Sequence, residues 1–227
     1  MECRSIALDG PAGAGKSTLA RMASNRYGLI YVDTGAIYRC VGLHVLRKKI
    51  GSKDEDGVVS LLPEINIEMK HDETKTQRMI LNGEDVTDAI RMPDVSAYAS
   101  DVSAMPPVRG FLLDMQKEMA QKYDVIMDGR DIGTVVLPEA GLKVFLTADL
   151  ETRAKRRYLE LSGKNIDTTF ETVKRDMEIR DKNDSERAAA PLKPAVDSVL
   201  LDTTHYDLDE SVNALCALID GRFGVTA

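Results

Sequence analysis

The chain has 227 residues, 43% of them hydrophobic and 30% charged, which excludes a protein that is disordered throughout. A net charge of -7 is a poor match for a protein whose main ligand is DNA or long RNA. No apolar run approaches the roughly 18 residues that a membrane span needs, and the three cysteines are widely spaced, without metal-ligand spacing. We therefore expect a cytoplasmic, monomeric protein with reduced thiols, which binds neither nucleic acid nor membrane.

The chain begins with alternating strand and helix patterns. Residues 5–8 form a short apolar run, and residues 17–27 follow with helical periodicity. A second apolar run at 29–32 precedes another helical pattern that carries Ile37 and Val41. This order predicts an α/β fold with a parallel sheet.

Residues 50–92 interrupt this alternation. Ile67 and Met69 alternate with polar residues, and so do Met79 and Leu81 before the turn pair Asn82-Gly83. This pattern predicts a small antiparallel insertion. The alternation then resumes with two helical stretches after Pro93, strands at 125–127 and 142–146, a charged helical segment at 149–189, a strand at 199–201 and an amphipathic helix at 208–219.

The first strand runs into a glycine loop. Residues 10–17 read GPAGAGKS, which satisfies the pattern GxxxxGK[ST] between a predicted strand and a predicted helix. Glycines let successive backbone N–H groups face phosphate oxygens, and the following helix adds the positive end of its dipole. We expect Lys16 to reach the β- and γ-phosphates of ATP and the Ser17 hydroxyl to bind Mg²⁺. The residues expected to contact ATP are Gly10, Gly13, Ala14, Gly15, Lys16, Ser17, Thr18 and Arg157.

Arginines in motif-like surroundings are candidates for a second phosphate. Arg39 follows the second strand, and Arg130 lies in the run Asp128-Gly129-Arg130-Asp131. Arg180, Asp184 and Arg187 have helical spacing i, i+4, i+7 and would share one face. The planar guanidinium matches phosphate, but any one such arginine could instead form a solvated ion pair. Asp128 could contact Mg²⁺ through water or support its loop.

A phosphate loop alone does not separate a kinase from a nucleotide-dependent switch. A guanine-nucleotide switch would carry an Asn-Lys-x-Asp reader late in the chain, and the sequence contains no such tetrapeptide. The arginine-bearing segments favour phosphoryl transfer, with a kinase of another small acceptor, such as shikimate or dephospho-coenzyme A, as the alternative enzyme.

Taken together, these segments resemble the bacterial cytidylate kinase family. The resemblance rests on residues 6–18, 33–39, Ala99-Ser100 with Val108-Arg109, the run DGRDIGTVV at 128–136, and 180–192. It implies a five-stranded parallel sheet of the P-loop type flanked by helices, with a monophosphate-binding insertion and a mobile helical lid. The implied domains are a core at 1–49, 93–150 and 190–227, the insertion at 50–92 and the lid at 151–189.

The resemblance also implies the activity, which is transfer of the γ-phosphate of ATP to CMP, and to dCMP as well, with release of ADP. The implied cytosine readers are Thr34, Ser100, Arg109 and Asp131. Arg39, Arg130 and Arg187 would hold the CMP phosphate, and Arg180 and Asp184 would meet the ribose. Lys16, Arg130 and Arg187 would be the catalytic residues, and the family often has Ser where this chain has Thr34.

Overall fold

The computed structural model describes residues 3–72 and 77–224, which divide into two compact units. The first unit comprises the described residues of 1–31 and 122–227, and the second unit those of 32–121. The predicted division into core, insertion and lid has other boundaries and stays a prediction. Within the described part of the chain, no helix is long and apolar enough to cross a membrane.

The described residues contain eight strands and eight α-helices. The strands are β1 (Ser5–Asp9), β2 (Ile30–Asp33), β3 (Ile67–His71), β4 (Gln77–Leu81), β5 (Glu84–Asp85), β6 (Val125–Gly129), β7 (Leu142–Thr147) and β8 (Val199–Asp202). The helices are α1 (Lys16–Tyr27), α2 (Thr34–Arg47), α3 (Glu55–Leu61), α4 (Pro93–Val102), α5 (Pro106–Lys122), α6 (Leu150–Gly163), α7 (Phe170–Glu186) and α8 (Leu208–Phe223).

The main sheet has the strand order β2-β6-β1-β7-β8, with β1 in the centre. β1 pairs in parallel with β6 and β7, and β7 pairs in parallel with β8. Ile6, Leu8 and Ile126 on these strands are completely buried against apolar residues of α1 and α8. The predicted five-stranded parallel sheet flanked by helices is confirmed. Because the strands are parallel, their carboxyl ends meet at one edge, where ligands of open α/β sheets bind.

The second unit packs α2 against α4. An added Cβ at Gly42 would lie 2.9 Å from the Ala99 backbone nitrogen, so only glycine allows this close approach. Completely or almost completely buried Ile37, Val41 and Met79 belong to the same apolar core. β3, β4 and β5 form the antiparallel sheet expected for the insertion, and the predicted turn has φ +50° at Asn82 and +85° at Gly83.

Four local features go beyond what the sequence predicts. The insertion also contains the short helix α3, and the charged segment at 149–189, predicted as helical, forms two helices, α6 and α7. The run at Ile132–Val136 forms a π-helical turn that no periodicity in the sequence indicates. α7 ends at Glu186, so Arg187 lies just beyond the helix that carries Arg180 and Asp184.

Candidate active site

The glycine loop joins β1 to α1 with a backbone that requires glycine. Gly10 has φ +149°, and an added Cβ would lie only 1.9 Å from the Leu146 carbonyl oxygen of β7. Gly15 has φ +92° and is the N-cap of α1. This left-handed conformation is one that residues other than glycine rarely adopt. The loop therefore presents its backbone at the carboxyl edge of the sheet, as the sequence predicts.

Lys16 is the first residue of α1 and exposes only 6% of its surface. Its ammonium donates to the Pro11 carbonyl at 2.8 Å. The pKa of Lys16 is lowered to about 7, chiefly by burial and then by Arg130 and Arg180, whereas Asp128 and Asp9 oppose the shift. A buried cation surrounded by two guanidinium groups is stabilised by an anionic ligand.

Ser17 and Asp128 place two oxygen donors side by side. The Ser17 hydroxyl donates to Asp128 Oδ2 at 2.7 Å, and the Tyr31 hydroxyl donates to Asp128 Oδ1 at 3.3 Å. Among the described residues, no group of three or more His, Cys, Asp or Glu side chains could hold a metal. The hydroxyl and carboxylate are nevertheless the ligand types that Mg²⁺ takes when phosphates and water supply the rest.

Two ion pairs connect the loop after β6 to the end of α7. Arg130 Nε donates to Asp184 Oδ2 at 2.8 Å, and Arg187 Nη2 donates to Asp131 Oδ1 at 3.2 Å. Burial alone would raise the pKa of Asp184, but Arg130, Arg180 and Arg187 outweigh burial and lower it. The structure thus brings together four residues that the sequence assigns to the acceptor nucleotide, and each charge on the loop has its counter-charge on the other segment.

In the second unit, the Asp33 carboxylate forms ion pairs with two arginines. It also caps α2 by accepting the Ala36 N–H at 2.9 Å, while Oδ2 lies 2.7 Å from Arg39 Nη2 and 3.4 Å from Arg91 Nη2. Burial raises the pKa of Asp33, but the two guanidinium groups and the Ala36 N–H outweigh it, so the net shift is downward. The Asp33 N–H donates to Gln77 of β4 at 2.9 Å, which fixes the start of α2.

Thr34, Ser100 and Arg109 also lie in the second unit, on three different helices. Thr34 is the buried first residue of α2, and Ser100 lies on α4 next to the close contact at Gly42. Arg109 of α5 donates to the Ser103 carbonyl at 3.1 Å, and its guanidinium lies 5.5 Å from the centroid of the Tyr38 ring. Their cytosine-reading roles stay predictions.

Arg157 and Arg153 lie on α6 in different surroundings. Arg157 pairs with Glu160 at 2.7 Å in an exposed i, i+3 contact, so its predicted contact with ATP stays a prediction. Arg153 is buried and donates to the Ala12 carbonyl of the glycine loop at 3.0 Å and to Asp181 of α7 at 2.6 Å. Arg153 therefore ties the glycine loop to α6 and α7.

Sequence reasoning missed Asp9, Asp33, Arg91 and Arg153 as site residues. Asp9 and Asp33 each end a strand at the carboxyl edge of the main sheet. Because ligands of open α/β sheets bind at this edge, their positions could have identified them as candidates. The segment around Arg91 and the run of arginines on α6 offered no local signal that separates these residues from surface charges.

The phosphate loop between β1 and α1, at the carboxyl edge of a parallel sheet, defines the class of P-loop proteins. Within that class the chain belongs to the cytidylate kinase family, whose model matches residues 6–221.

Individual relatives agree with this assignment. A cytidylate kinase of Caldicellulosiruptor bescii is 47% identical over 94% of this chain and 94% of its own length. A cytidylate kinase of Desulfitobacterium hafniense is 44% identical over 96% of this chain and 93% of its own length. Among solved structures, an uncharacterized protein from Eubacterium ventriosum is similar with a TM-score of 0.52 at 15% identity, covering 96% of this chain and 99% of its own. That likeness concerns the fold alone.

Proposed function

We propose that this protein transfers the γ-phosphate of ATP to CMP, and to dCMP, and releases ADP. Membership of the cytidylate kinase family supports this proposal, as do relatives of that name that match over almost their whole length. We also propose that the protein works as a cytoplasmic monomer, with residues 50–92 as an acceptor-binding insertion and 151–189 as a lid.

The observation that carries the proposal is that one unit contains both the phosphate loop, with its buried Lys16, and the ion-paired Arg130 and Arg187. Lys16 follows the phosphate loop, and Arg130 belongs to the loop assigned to the acceptor, yet Arg130 lies close enough to lower the pKa of Lys16. Asp128 and Asp9 offset part of the repulsion between these cations, and a bound anion would offset more of it. Transfer of a phosphoryl group between two phosphates supplies such an anion, and its charge spreads over the equatorial oxygens in the transition state.

The residues of the first unit fit the parts that this reaction needs. The glycine loop and Lys16 would hold the β- and γ-phosphates of ATP. Ser17 and Asp128 fit a Mg²⁺ ion, which when bound neutralises charge on the phosphate oxygens. Arg130 and Arg187 would bind the CMP phosphate and follow the transferring group. Asp131 would accept from the cytosine amino group, and Arg180 and Asp184 would meet the ribose.

The reaction needs no dedicated general base. An oxygen of the CMP phosphate is already ionised at neutral pH, so it can attack the γ-phosphorus directly. The new bond joins this oxygen to the γ-phosphorus as the bond to the β,γ-bridging oxygen breaks, and ADP carries the released electron pair. The residues of this chain then contribute positioning and charge stabilisation.

The test is ADP release from ATP and Mg²⁺ across a panel of acceptors: CMP, dCMP, UMP, AMP, shikimate and dephospho-coenzyme A. We expect kcat/KM to be highest for CMP and dCMP. Faster turnover of another acceptor would assign a different kinase activity, and nucleotide binding without acceptor-dependent turnover would assign a switch.

A further inference from the structure

Asp9 connects the central strand of the sheet to the loop that follows β6. Its Oδ1 accepts the Ile132 N–H at 2.7 Å and its Oδ2 accepts the Gly133 N–H at 2.7 Å. The side chain is nearly completely buried, with 5% of its surface exposed. Each carboxylate oxygen therefore binds one backbone donor, and both donors lie in the two residues after Asp131.

These two N–H groups open the π-helical turn Ile132–Val136. The first N–H groups of a helical turn have no partner inside the turn and need a capping acceptor. Asp131 occupies the N-cap position, where an aspartate usually supplies that acceptor, yet its side chain makes no capping bond. The Asp131 carboxylate instead faces Arg187. Asp9 thus performs the capping that Asp131 would otherwise perform.

We propose that Asp9 is a positioning residue for nucleobase selection: by capping the turn from another strand, it leaves the Asp131 carboxylate available to the acceptor base. This inference rests on the proposed function, because it assigns Asp131 a ligand contact. The carboxylates of Asp9 and Asp131 thus have different roles. One fixes the backbone, and the other faces outward from the turn toward Arg187.

The surroundings of Asp9 fit this role. The pKa of Asp9 is raised to about 6, chiefly by burial and also by the neighbouring charge of Asp131, while the two backbone N–H groups and Lys16 oppose the shift. The Lys143 side chain lies beside Gly133, and its ammonium pairs with Asp197 at 2.8 and 2.9 Å. The Asp9 carboxylate keeps its buried position because the two backbone donors satisfy it.

The variant Asp9→Asn tests the inference. Asparagine has nearly the same volume, but its amide group can accept only one of the two N–H bonds and turns a donor toward the other. The Asp131 carboxylate should then rotate back to cap its own turn. We expect the ratio of kcat/KM for CMP to that for UMP to fall about tenfold or more, since a good base contact contributes about a factor of 10 to 100 in discrimination. Asp9 also interacts electrostatically with Lys16, but a change in ATP binding is common to both acceptors and cancels in this ratio.

Asp124→Asn is the matched control. Asp124 precedes β6 at the opposite edge of the sheet and accepts the backbone N–H and Nε of Arg4 at 2.7 and 2.8 Å. This variant should keep the wild-type CMP to UMP ratio. The double variant Asp9→Asn with Asp131→Asn should lose no more discrimination than Asp131→Asn alone, because both changes act on the same contact.

The outcomes separate the two proposals. If the wild-type enzyme does not phosphorylate CMP, the proposed function fails, and the inference fails with it. If the wild-type enzyme is active but Asp9→Asn keeps the wild-type CMP to UMP ratio, or if the losses in the double variant add, only the inference is overturned. Should Asp9→Asn fail to fold, the same ratio measured across pH in the wild-type enzyme decides, because protonation of Asp9 also removes one acceptor.

Discussion

Asp131 and Arg187 form an ion pair of 3.2 Å in which each side chain exposes only 6% of its surface. A buried pair of this kind is costly to break on one side, because the remaining charge is left unpaired. The ion pair is therefore compatible with two roles of Asp131. Asp131 either reads the acceptor base or only holds Arg187, and kinetics can distinguish them.

The variant Asp131→Asn tests whether Asp131 contacts the nucleobase of the acceptor. Cytosine offers an amino donor at N4, whereas uracil offers an acceptor at O4, so a carboxylate attracts one base and repels the other. We expect kcat/KM for CMP to fall by about 10- to 100-fold, with a smaller loss for UMP. An equal fractional loss for both nucleotides would mean that Asp131 serves only as scaffold.

The variant Arg187→Ala tests whether Arg187 stabilises the phosphoryl group during its transfer. If Arg187 follows charge as it develops, kcat should fall by about 10³-fold or more at saturating CMP and ATP. Arg47→Ala is the control, since Arg47 pairs with Glu84 on an exposed surface of the second unit, and its kcat should stay at the wild-type value. A change in KM alone for Arg187→Ala would instead indicate uniform binding of ground and transition states.

The pH dependence of base selection follows from the pKa of about 6 for Asp9. Above this pH the carboxylate accepts both N–H groups, and as the pH falls through about 6 protonation replaces one acceptor by a donor. We expect the CMP to UMP ratio of kcat/KM to fall between pH 7 and 5. The phosphates of CMP and UMP titrate alike, so their ionisation cancels in the ratio.

Unfolding caused by protonation of Asp9 would not explain a fall of the CMP to UMP ratio of kcat/KM. The pKa of Asp9 in the folded state lies above its ordinary value of 3.8, so between these values the folded state binds more protons than the unfolded state. The contribution of this group to stability therefore increases as the pH falls. A ratio that is constant down to pH 5 would contradict the prediction.

Gly10 provides a prediction about stability alone. Gly10→Ala would place a Cβ 1.9 Å from the Leu146 carbonyl oxygen at a φ of +149°, so we expect it to lower the free energy of unfolding by at least about 2 kcal/mol. Gly110→Ala in α5 meets no atom within 4 Å and should raise it by about 0.5–1 kcal/mol. Urea unfolding of both variants checks the pair, and similar values for the two would refute the steric argument.

The sequence predicted the parts of the fold that local chemistry determines. The glycine loop, the apolar strands and the turn at Asn82-Gly83 could all be predicted from the sequence, because each needs particular residue types at fixed positions. Helix α3 was missed because it has only seven residues and contains Gly57, and the Asp54 side chain stabilises its start by accepting the Gly57 N–H at 3.0 Å.

Other features depend on partners that are distant in sequence. The π-helical turn after Asp131 is capped by Asp9, 123 residues earlier than Ile132, and no periodicity reports such a contact. Arg187 carries the spacing of a helical face but lies outside α7, where its Nε donates to the Ala190 carbonyl at 2.6 Å. Residue type alone thus predicted the candidate charges, while tertiary contacts determine how they pair.

Transfer of labelled phosphate from [γ-³²P]ATP to CMP, in the wild-type enzyme and in Lys16→Met, tests the central claim most directly. Methionine has a similar length and removes a buried charge, so Lys16→Met should melt no lower than the wild-type protein while losing Lys16's stabilisation of the transferring phosphoryl group. We predict labelled CDP from the wild-type enzyme and almost none from the folded variant. Equal amounts of labelled CDP from both proteins would contradict the assignment of the phosphate loop, and no labelled CDP from the wild-type enzyme would contradict the proposed function.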